Sequence, residues 1–381
     1  MDTSLQEITD RIIDAQRERT TLRIKGGGSK DFYAQSLQGN ILSTRDIKGI
    51  VSYEPSELVV TVRAGTPLRE LDAALAEKGQ FLPFEPPHFQ RCLHDNITTI
   101  GGAVSCGLSG PARASVGSLR DYLLGIRMIN GRGEHLTFGG QVIKNVAGYD
   151  ISRLMSGSMG ILGVITEVSL KVLAKATSEL TIKCTGLSQS TALDLLHEWG
   201  GQPLPLNASY WLIEKRGFHF FIRLRGALAA VQAAAPIMLS DIAKAGGLGD
   251  VRDSEQASKD WDACRDQRLP FFTTNKPEHG LWRISVPQTA PVLDLPFDSL
   301  IEWHGGLRWT WAPLSAKTEI QQAAHTAGGQ ASLFIAPSTG CPEEFLRMHP
   351  LPENLYSLNQ RLKKEFDPFS IFNPSRLYPG L

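Results

Sequence analysis

Apolar residues recur at helical spacing from the start of the chain. Leu5, Ile8, Ile12 and Ile13 fall among charged residues across 3–19, which predicts an amphipathic helix. The period then changes. Leu22-Arg23-Ile24 reads as a short strand running into the glycine-rich stretch Lys25-Gly26-Gly27-Gly28-Ser29-Lys30. Val59 to Ala64 is rich in β-branched residues, as strands are. Thr66-Pro67 then offers an N-cap and an N1 proline to a helix with Leu68, Leu71, Ala74 and Leu75 on its apolar face. Gly79 stands where the end of that helix wants a left-handed residue. From Pro83 to Gly117 small residues dominate, most densely from Thr98 to Gly110, and such a composition lets backbone approach something closely. Tyr122 to Ile129, turned by Asn130-Gly131-Arg132-Gly133 into Glu134 to Phe138, predicts a hairpin. Gly157-Ser158-Met159-Gly160-Ile161-Leu162-Gly163 precedes a further strand, Val164 to Leu173.

Beyond Lys175 the pattern is different. Short apolar runs at Phe218 to Leu224, Leu281 to Val286, Leu307 to Trp311 and Ala331 to Ile335 alternate with helical stretches near 190–198, 227–245 and 254–267, which reads as an α+β domain with an antiparallel sheet. All seven tryptophans lie in this part of the chain. The tail from Asn354 is a helix followed by Phe366-Asp367-Pro368-Phe369-Ser370-Ile371-Phe372-Asn373-Pro374-Ser375-Arg376-Leu377-Tyr378. The expected division is 1–175, 176–345 and 346–381. A length of 381 residues requires more than one core in any case.

Charge narrows the function classes. With 39 basic and 39 acidic side chains the formal net charge is zero, and no local basic run offers a footing for nucleic acid. The N-terminus has neither the basic nor the apolar region of a signal peptide, and no stretch is apolar enough to span a bilayer. Five scattered cysteines without a C-x-x-C read as cytoplasmic thiols and supply neither an iron–sulfur cluster nor a structural zinc site.

Three consecutive glycines can turn several backbone N–H groups toward one anion, making a nest for phosphate; a plain surface turn is the competing reading. The chain contains neither G-x-G-x-x-G nor G-x-x-x-x-G-K-[ST], so the glycines belong to neither a dinucleotide-binding βαβ unit nor a P-loop. The ordered set KGGGS, TIGG with its small-residue run, and GSMGILGVITE resembles the FAD domain of the vanillyl-alcohol-oxidase-like (PCMH-type) flavoproteins. EPPHF, GLSGPARASVGSLRDYLLG, KNVAGYDISRL, LWRISVP and FDPFSIFNPSRLYPG extend the likeness to the family of smaller FAD-binding subunits of bacterial glycolate oxidases. It is dense over about 20–175, sparse through the middle and dense again at the tail.

The resemblance implies a two-subdomain FAD-binding domain, a smaller antiparallel α+β cap and a C-terminal segment returning to the FAD domain. It places Gly26, Gly27, Gly28 and Ser29 at the cofactor's pyrophosphate, Ile100, Gly101, Gly102 and Ser105 along its ribityl chain and flavin, and Gly160, Gly163, Val164 and Ile165 at the adenosine half. For Ile100 and Val164, core packing is an equal alternative. Asn373 and Arg376 match the family's returning tail, either at the cofactor or as a clamp. Relatives with a histidyl–flavin bond place that histidine after the glycine loop, where Ser29 stands here, so the FAD is expected to be non-covalent; Cys92 and Cys106 are the other conceivable attachment points.

The implied function is oxidation of a small 2-hydroxy acid, glycolate to glyoxylate, in a complex with a larger FAD-binding subunit and an iron–sulfur subunit. The chain is expected in the cytoplasm, reaching the inner membrane only through that complex. The metal-binding H-x-G-D-G-N-x-H-like pair of some relatives is missing, and Glu278-His279-Gly280 is out of place for the segment it mimics. His88 and His94 read as loop residues. Lys144, Tyr149 and Arg283 are the candidates for catalytic work, with Arg308 beside Arg283 as a possible carboxylate partner or structural ion pair. The alternatives are a non-catalytic assembly or electron-relay subunit and a free-standing flavin reductase of the same fold. An interface formed partly by the tryptophan-rich second domain follows from the heteromeric reading.

Overall fold

Ile8, Ile12 and Ala15 are the buried face of a helix over Thr3–Glu18, as the spacing predicts. The structure, a computed structural model, describes residues 3–89, 97–140, 150–214, 217–273 and 276–381. Strand Leu22–Lys25 follows the helix and pairs in parallel with Asn40–Ser43. Its other edge takes the C-terminal segment. Leu22 N–H donates to the Ile371 carbonyl at 2.7 Å, and Asn373 N–H donates to the Leu22 carbonyl at 2.8 Å.

A five-stranded antiparallel sheet runs in the order Ile50–Glu54, Val59–Arg63, Val164–Lys171, Leu123–Ile129, His135–Gly139. The predicted hairpin is its last pair, with Ile129 opposite His135. Asn130 Oδ1 accepts from the N–H groups of Arg132 and Glu134, which fixes the turn. Val60, Val62, Met128, Val168 and Leu170 point into a core shared with the first helix and with Phe366, Ile371 and Phe372.

The start of the second helix departs from expectation by one residue. Leu68–Glu77 has Pro67 at the N-cap with no side-chain cap, and Thr66 Oγ1 instead accepts from Gly49 N–H at 2.8 Å. Gly79 at its far end is left-handed, at φ +65°.

The chain clusters into two compact units. The first comprises Met1–Ser109, Ser118–Lys175 and Pro350–Leu381, and the second Gly110–Gly117 with Ala176–His349. In the second unit an eight-stranded antiparallel sheet has the order Leu248–Val251, Ser178–Thr185, Gly217–Gly226, Leu206–Glu214, Ser299–Glu302, Leu307–Pro313, His279–Ser285, Gln330–Ile335. Helices Gln189–Gly200 and Leu228–Lys244 cover one part of it through Trp199, Leu196, Met238 and Ile242. Helix Lys317–Thr326 covers another through Ile320 and Ala324 against Trp282 and Leu333.

Six of the seven tryptophans are buried, so they build the unit's own interior and offer little to the partner surface expected of them. A contiguous domain over 1–175 is not what the clustering gives either. Gly110–Gly117 sits with the second unit because the Trp303 indole N–H donates to the Gly110 carbonyl at 2.9 Å and the Arg113 guanidinium lies 4.5 Å over the Trp303 ring. Ser115 Oγ adds hydrogen bonds to the Leu206 carbonyl and to His304 Nε2. Among the described residues no helix is long and apolar enough to cross a membrane.

Candidate functional site

Four stretches of the first unit meet around an open cleft. Gly26 to Ser29 line it from the loop after the first strand, and Gly101, Gly102 and Ser105 from helix Ile100–Cys106. Gly160 and Gly163 enter from the segment before strand Val164–Lys171, Ile165 from the strand itself, and Asn373 with Arg376 from the C-terminal segment. Ile100 and Val164 do not line the cleft. Both are fully buried in the hydrophobic core of the unit. The reason for Ile100 is helical period: Gly101, Gly102, Ser105 and Cys106 share the cleft side, while Ile100, Ala103 and Val104 turn inward.

The glycines are required by the protein's own packing as well as by any ligand. A Cβ on Gly27 would sit 1.3 Å from the Ile97 carbonyl oxygen, and one on Gly101 would meet Ala64 Cβ at 2.7 Å. Strain gathers on the opposite side. Met159 and Asn373 are left-handed, at φ 53° and 40°, where an asparagine is better tolerated than most side chains. Asn373 earns its conformation through three bonds: Oδ1 accepts from Ile24 N–H at 2.8 Å, Nδ2 donates to the Met159 carbonyl at 2.6 Å, and its own N–H reaches Leu22. Asn373→Ala should therefore destabilise the first unit by about 1–3 kcal/mol and weaken ligand binding in the cleft with it. Urea unfolding followed by far-UV circular dichroism checks this, and an unchanged midpoint would mean that the clamp is idle.

Charge was the part that sequence reasoning missed. Lys25, Lys30 and Asp31 line the cleft beside Arg376, so three cations face one carboxylate. Asp31 is engaged by Arg23 at 2.5 Å and by Lys25 at 3.8 Å. Arg376 donates to the carbonyls of Gln35 and Asp31. Lys30 is 7% exposed, with Ser29 Oγ at 3.2 Å from its ammonium. Burial pulls the Lys30 ammonium below the usual lysine range, and burial pushes the Cys106 thiol up, partly opposed by Lys30 and Arg376. Thr99, whose Oγ1 accepts from Gly102 N–H and caps the small-residue helix, also lines the cleft. The available signal was position: Lys25 and Lys30 flank the glycines, and Thr99 precedes Ile100-Gly101-Gly102.

The residues fit a dinucleotide. Close-packed glycine backbone, a left-handed Gly28 at φ +78° and two net positive charges suit a dianionic diphosphate. Of the three candidates for catalysis, Arg283 alone lies among the described residues. Arg283 belongs to the second unit, on strand His279–Ser285, with its guanidinium 5.3 Å over the Trp303 ring. Arg308, 1% exposed, is a structural group that donates to the carbonyls of Gly305, Pro291 and Ala290. Lys144, Tyr149, His94 and Cys92 lie outside the described residues. His88 Nε2 is 2.9 Å from Asp72, and His279 is paired with its neighbour Glu278 at the start of a strand. Among the described residues no three His, Cys, Asp or Glu side chains are grouped to hold a metal ion.

Comparison with known proteins agrees with the cleft. Residues 3–139 match the FAD binding domain family. The chain is 41% identical to glycolate oxidase subunit GlcE of Escherichia coli K12 over 376 residues, 99% of this chain and 98% of that protein. Glycolate oxidase subunit GlcD of Bacillus subtilis 168 is 31% identical over 144 residues, 38% of this chain and 29% of that one. Among solved structures, an alkyldihydroxyacetonephosphate synthase superposes with a TM-score of 0.67 over 97% of this chain and 75% of its own. At 14% identity, that likeness speaks for the fold alone.

Proposed function

The chain belongs to the GlcE family of glycolate oxidase subunits, and we propose that it works as the FAD-binding subunit of an oxidoreductase that converts glycolate, a 2-hydroxy acid, to glyoxylate. The observation that carries this reading is the end-to-end match to GlcE in a chain whose first unit presents a glycine-walled, positively charged cleft. FAD bound there supplies the acceptor for the hydride released from the α-carbon of the acid. The chain's own part is to hold the cofactor. Backbone of Gly26 to Gly28 would approach the diphosphate without side chains in the way, Lys25 and Arg376 would balance its charge, and Asn373 ties the walls together.

In this reading the protein is one component of a multi-subunit enzyme, beside a larger FAD-binding subunit of the GlcD kind and an iron–sulfur subunit. Support for partners comes from the relatives, since GlcE and GlcD are both named as subunits of glycolate oxidase. Ser29 rather than a histidine follows the glycine loop, and burial pushes up the Cys106 thiol that lines the cleft, so the flavin is read as non-covalent and acid precipitation should release all the yellow colour. A fluorescent flavin band on a denaturing gel would refute that.

The direct test is co-expression. Tagged protein should recover both partner subunits in fixed stoichiometry, and glycolate oxidation should appear only in that assembly. Anaerobic mixing of the isolated, FAD-loaded chain with glycolate or D-lactate separates the two readings: bleaching of the flavin absorbance favours a substrate site on this chain, and no bleaching favours the assembly or electron-relay role. Turnover by the isolated chain with an artificial acceptor at the assembly's rate would overturn the idea of an incomplete subunit, and Arg283, Lys144 and Tyr149 would then be the positions to mutate.

A further inference from the structure

Two lysines in the first unit are almost equally buried, and they are treated very differently. Lys363, 4% exposed, donates to the Asp367 carboxylate at 2.7 Å and to the carbonyls of Ile161 and Phe372 at 2.7 and 2.8 Å. It is a satisfied cation. Lys30, 7% exposed, has the neighbouring Ser29 hydroxyl at 3.2 Å, and among the described residues its ammonium forms no ion pair. The Ser29 oxygen is itself shared, since it also accepts from Thr98 Oγ1 at 2.9 Å. The nearest carboxylate in sequence, Asp31, is held by Arg23 and Lys25.

A buried cation without an anion is costly to keep. This one lines the cleft, next to the loop whose backbone approaches most closely. We propose that Lys30 is the charge partner of the diphosphate of the bound dinucleotide, and that its missing counter-ion is delivered by the cofactor itself. The proposal rests on the FAD reading of the cleft given above. It goes beyond backbone recognition by the glycine loop, because it assigns a specific side chain a charge that is left uncompensated until the ligand arrives.

A linkage follows. The titratable groups that line the cleft with Lys30 are Cys106 on helix Ile100–Cys106, Arg376 of the C-terminal segment, Lys25 and Asp31, the last also held by Arg23. In the empty cleft, burial holds the Lys30 ammonium below its ordinary range, with Cys106 opposing. A dianion beside it restores that range. Binding therefore takes up a proton, and affinity falls as pH rises through the lowered titration of the empty state.

The test is calorimetry on FAD-stripped full-length protein with FAD and with ADP, which carries the diphosphate but no flavin. Measurements run from pH 6 upward in two buffers of different ionisation enthalpy, so that protons are counted. Lys30→Met should weaken FAD and ADP by the same factor, about 10- to 100-fold as for a charge-assisted hydrogen bond, and abolish proton uptake. The empty variant should also melt at a higher temperature than the empty parent, because an unpaired buried charge is gone. That melt separates the proposal from simple misfolding. Unchanged FAD affinity in Lys30→Met, equal proton uptake in variant and parent, or loss of FAD affinity without loss of ADP affinity would each overturn it. A parent protein that binds neither ligand would instead overturn the FAD reading itself.

Discussion

Replacing Gly27 by valine should abolish tight FAD binding. A Cβ at this position falls 1.3 Å from the Ile97 carbonyl oxygen and 2.4 Å from its carbon, and both are backbone atoms. No rotamer relieves such an overlap, so the loop or the segment at Ile97 must move, and the cleft loses its closest wall. Gly102→Ala is the milder companion. Its Cβ would meet Thr99 Oγ1 at 3.2 Å, the end of a side chain. Fluorescence titration of refolded apoprotein should show Gly27→Val weakened by two orders of magnitude or more, roughly the effect of about 3 kcal/mol, and Gly102→Ala far less. Equal dissociation constants for Gly27→Val and the parent would reduce the glycine loop to an ordinary turn.

The second large effect lies in the other unit and is read in stability against pH. Glu302 is buried, its carboxylate accepting from the Trp309 indole N–H at 2.7 Å and from the Cys264 thiol at 3.5 Å, and burial pushes it up to about 7. His304, two residues on, is hydrogen-bonded to Ser209 and Ser115, and burial pulls it down to about 4. The signs oppose. Glu302 ionises later in the folded state than at its unfolded value of 4.5, so its contribution is complete below that pH and is lost as pH rises through about 7. His304 protonates later than at 6.5, so its contribution is complete above that pH and is lost as pH falls through about 4.

Each contribution is on the order of 3 kcal/mol, and between the two unfolded values they largely cancel. Glu302→Gln should therefore gain stability relative to the parent as pH is raised from 4.5 to 8, and His304→Asn should gain relative to the parent as pH is lowered from 7 to 4. Tryptophan fluorescence in urea reports on this unit alone, since all seven tryptophans lie within Ala176–His349. Differences from the parent that do not vary with pH would show that neither group changes its ionisation on folding.

What the sequence discloses here depends on how local the cause is. The first helix, the hairpin at Asn130 and the left-handed Gly79 follow from spacing and from residues beside one another, and each is present. Gly27 and Gly101 are legible because close approach by Ile97 and Ala64 leaves only glycine, and Gly28 because its φ of +78° favours one. Ile100 stands beside those glycines in sequence but belongs to the core, because successive helical residues point in different directions. Thr66 caps nothing, because Gly49, distant in sequence, uses its hydroxyl. The transfer of Gly110–Gly117 to the second unit depends on Trp303, nearly two hundred residues later, and no local pattern announces it. Lys25 and Lys30 were in plain view as residues. For Lys30 the meaning comes from burial, which a hydropathy pattern does not report for a lysine in a loop.

The hydrogen bond from Ile24 N–H to Asn373 Oδ1 spans 349 residues of sequence, and it sets an order of events during synthesis. At ordinary translation rates, roughly 20–70 s separate the appearance of the glycine loop from that of the asparagine that holds it. Ala176–His349, with the long sheet and all the tryptophans, is complete before then. The edge of Leu22–Lys25 that will receive the C-terminal segment has no such partner throughout that interval, so the nascent chain carries an open strand edge for most of its time on the ribosome. The cleft gains the wall that Asn373 and Arg376 supply only after Ala176–His349 has been made.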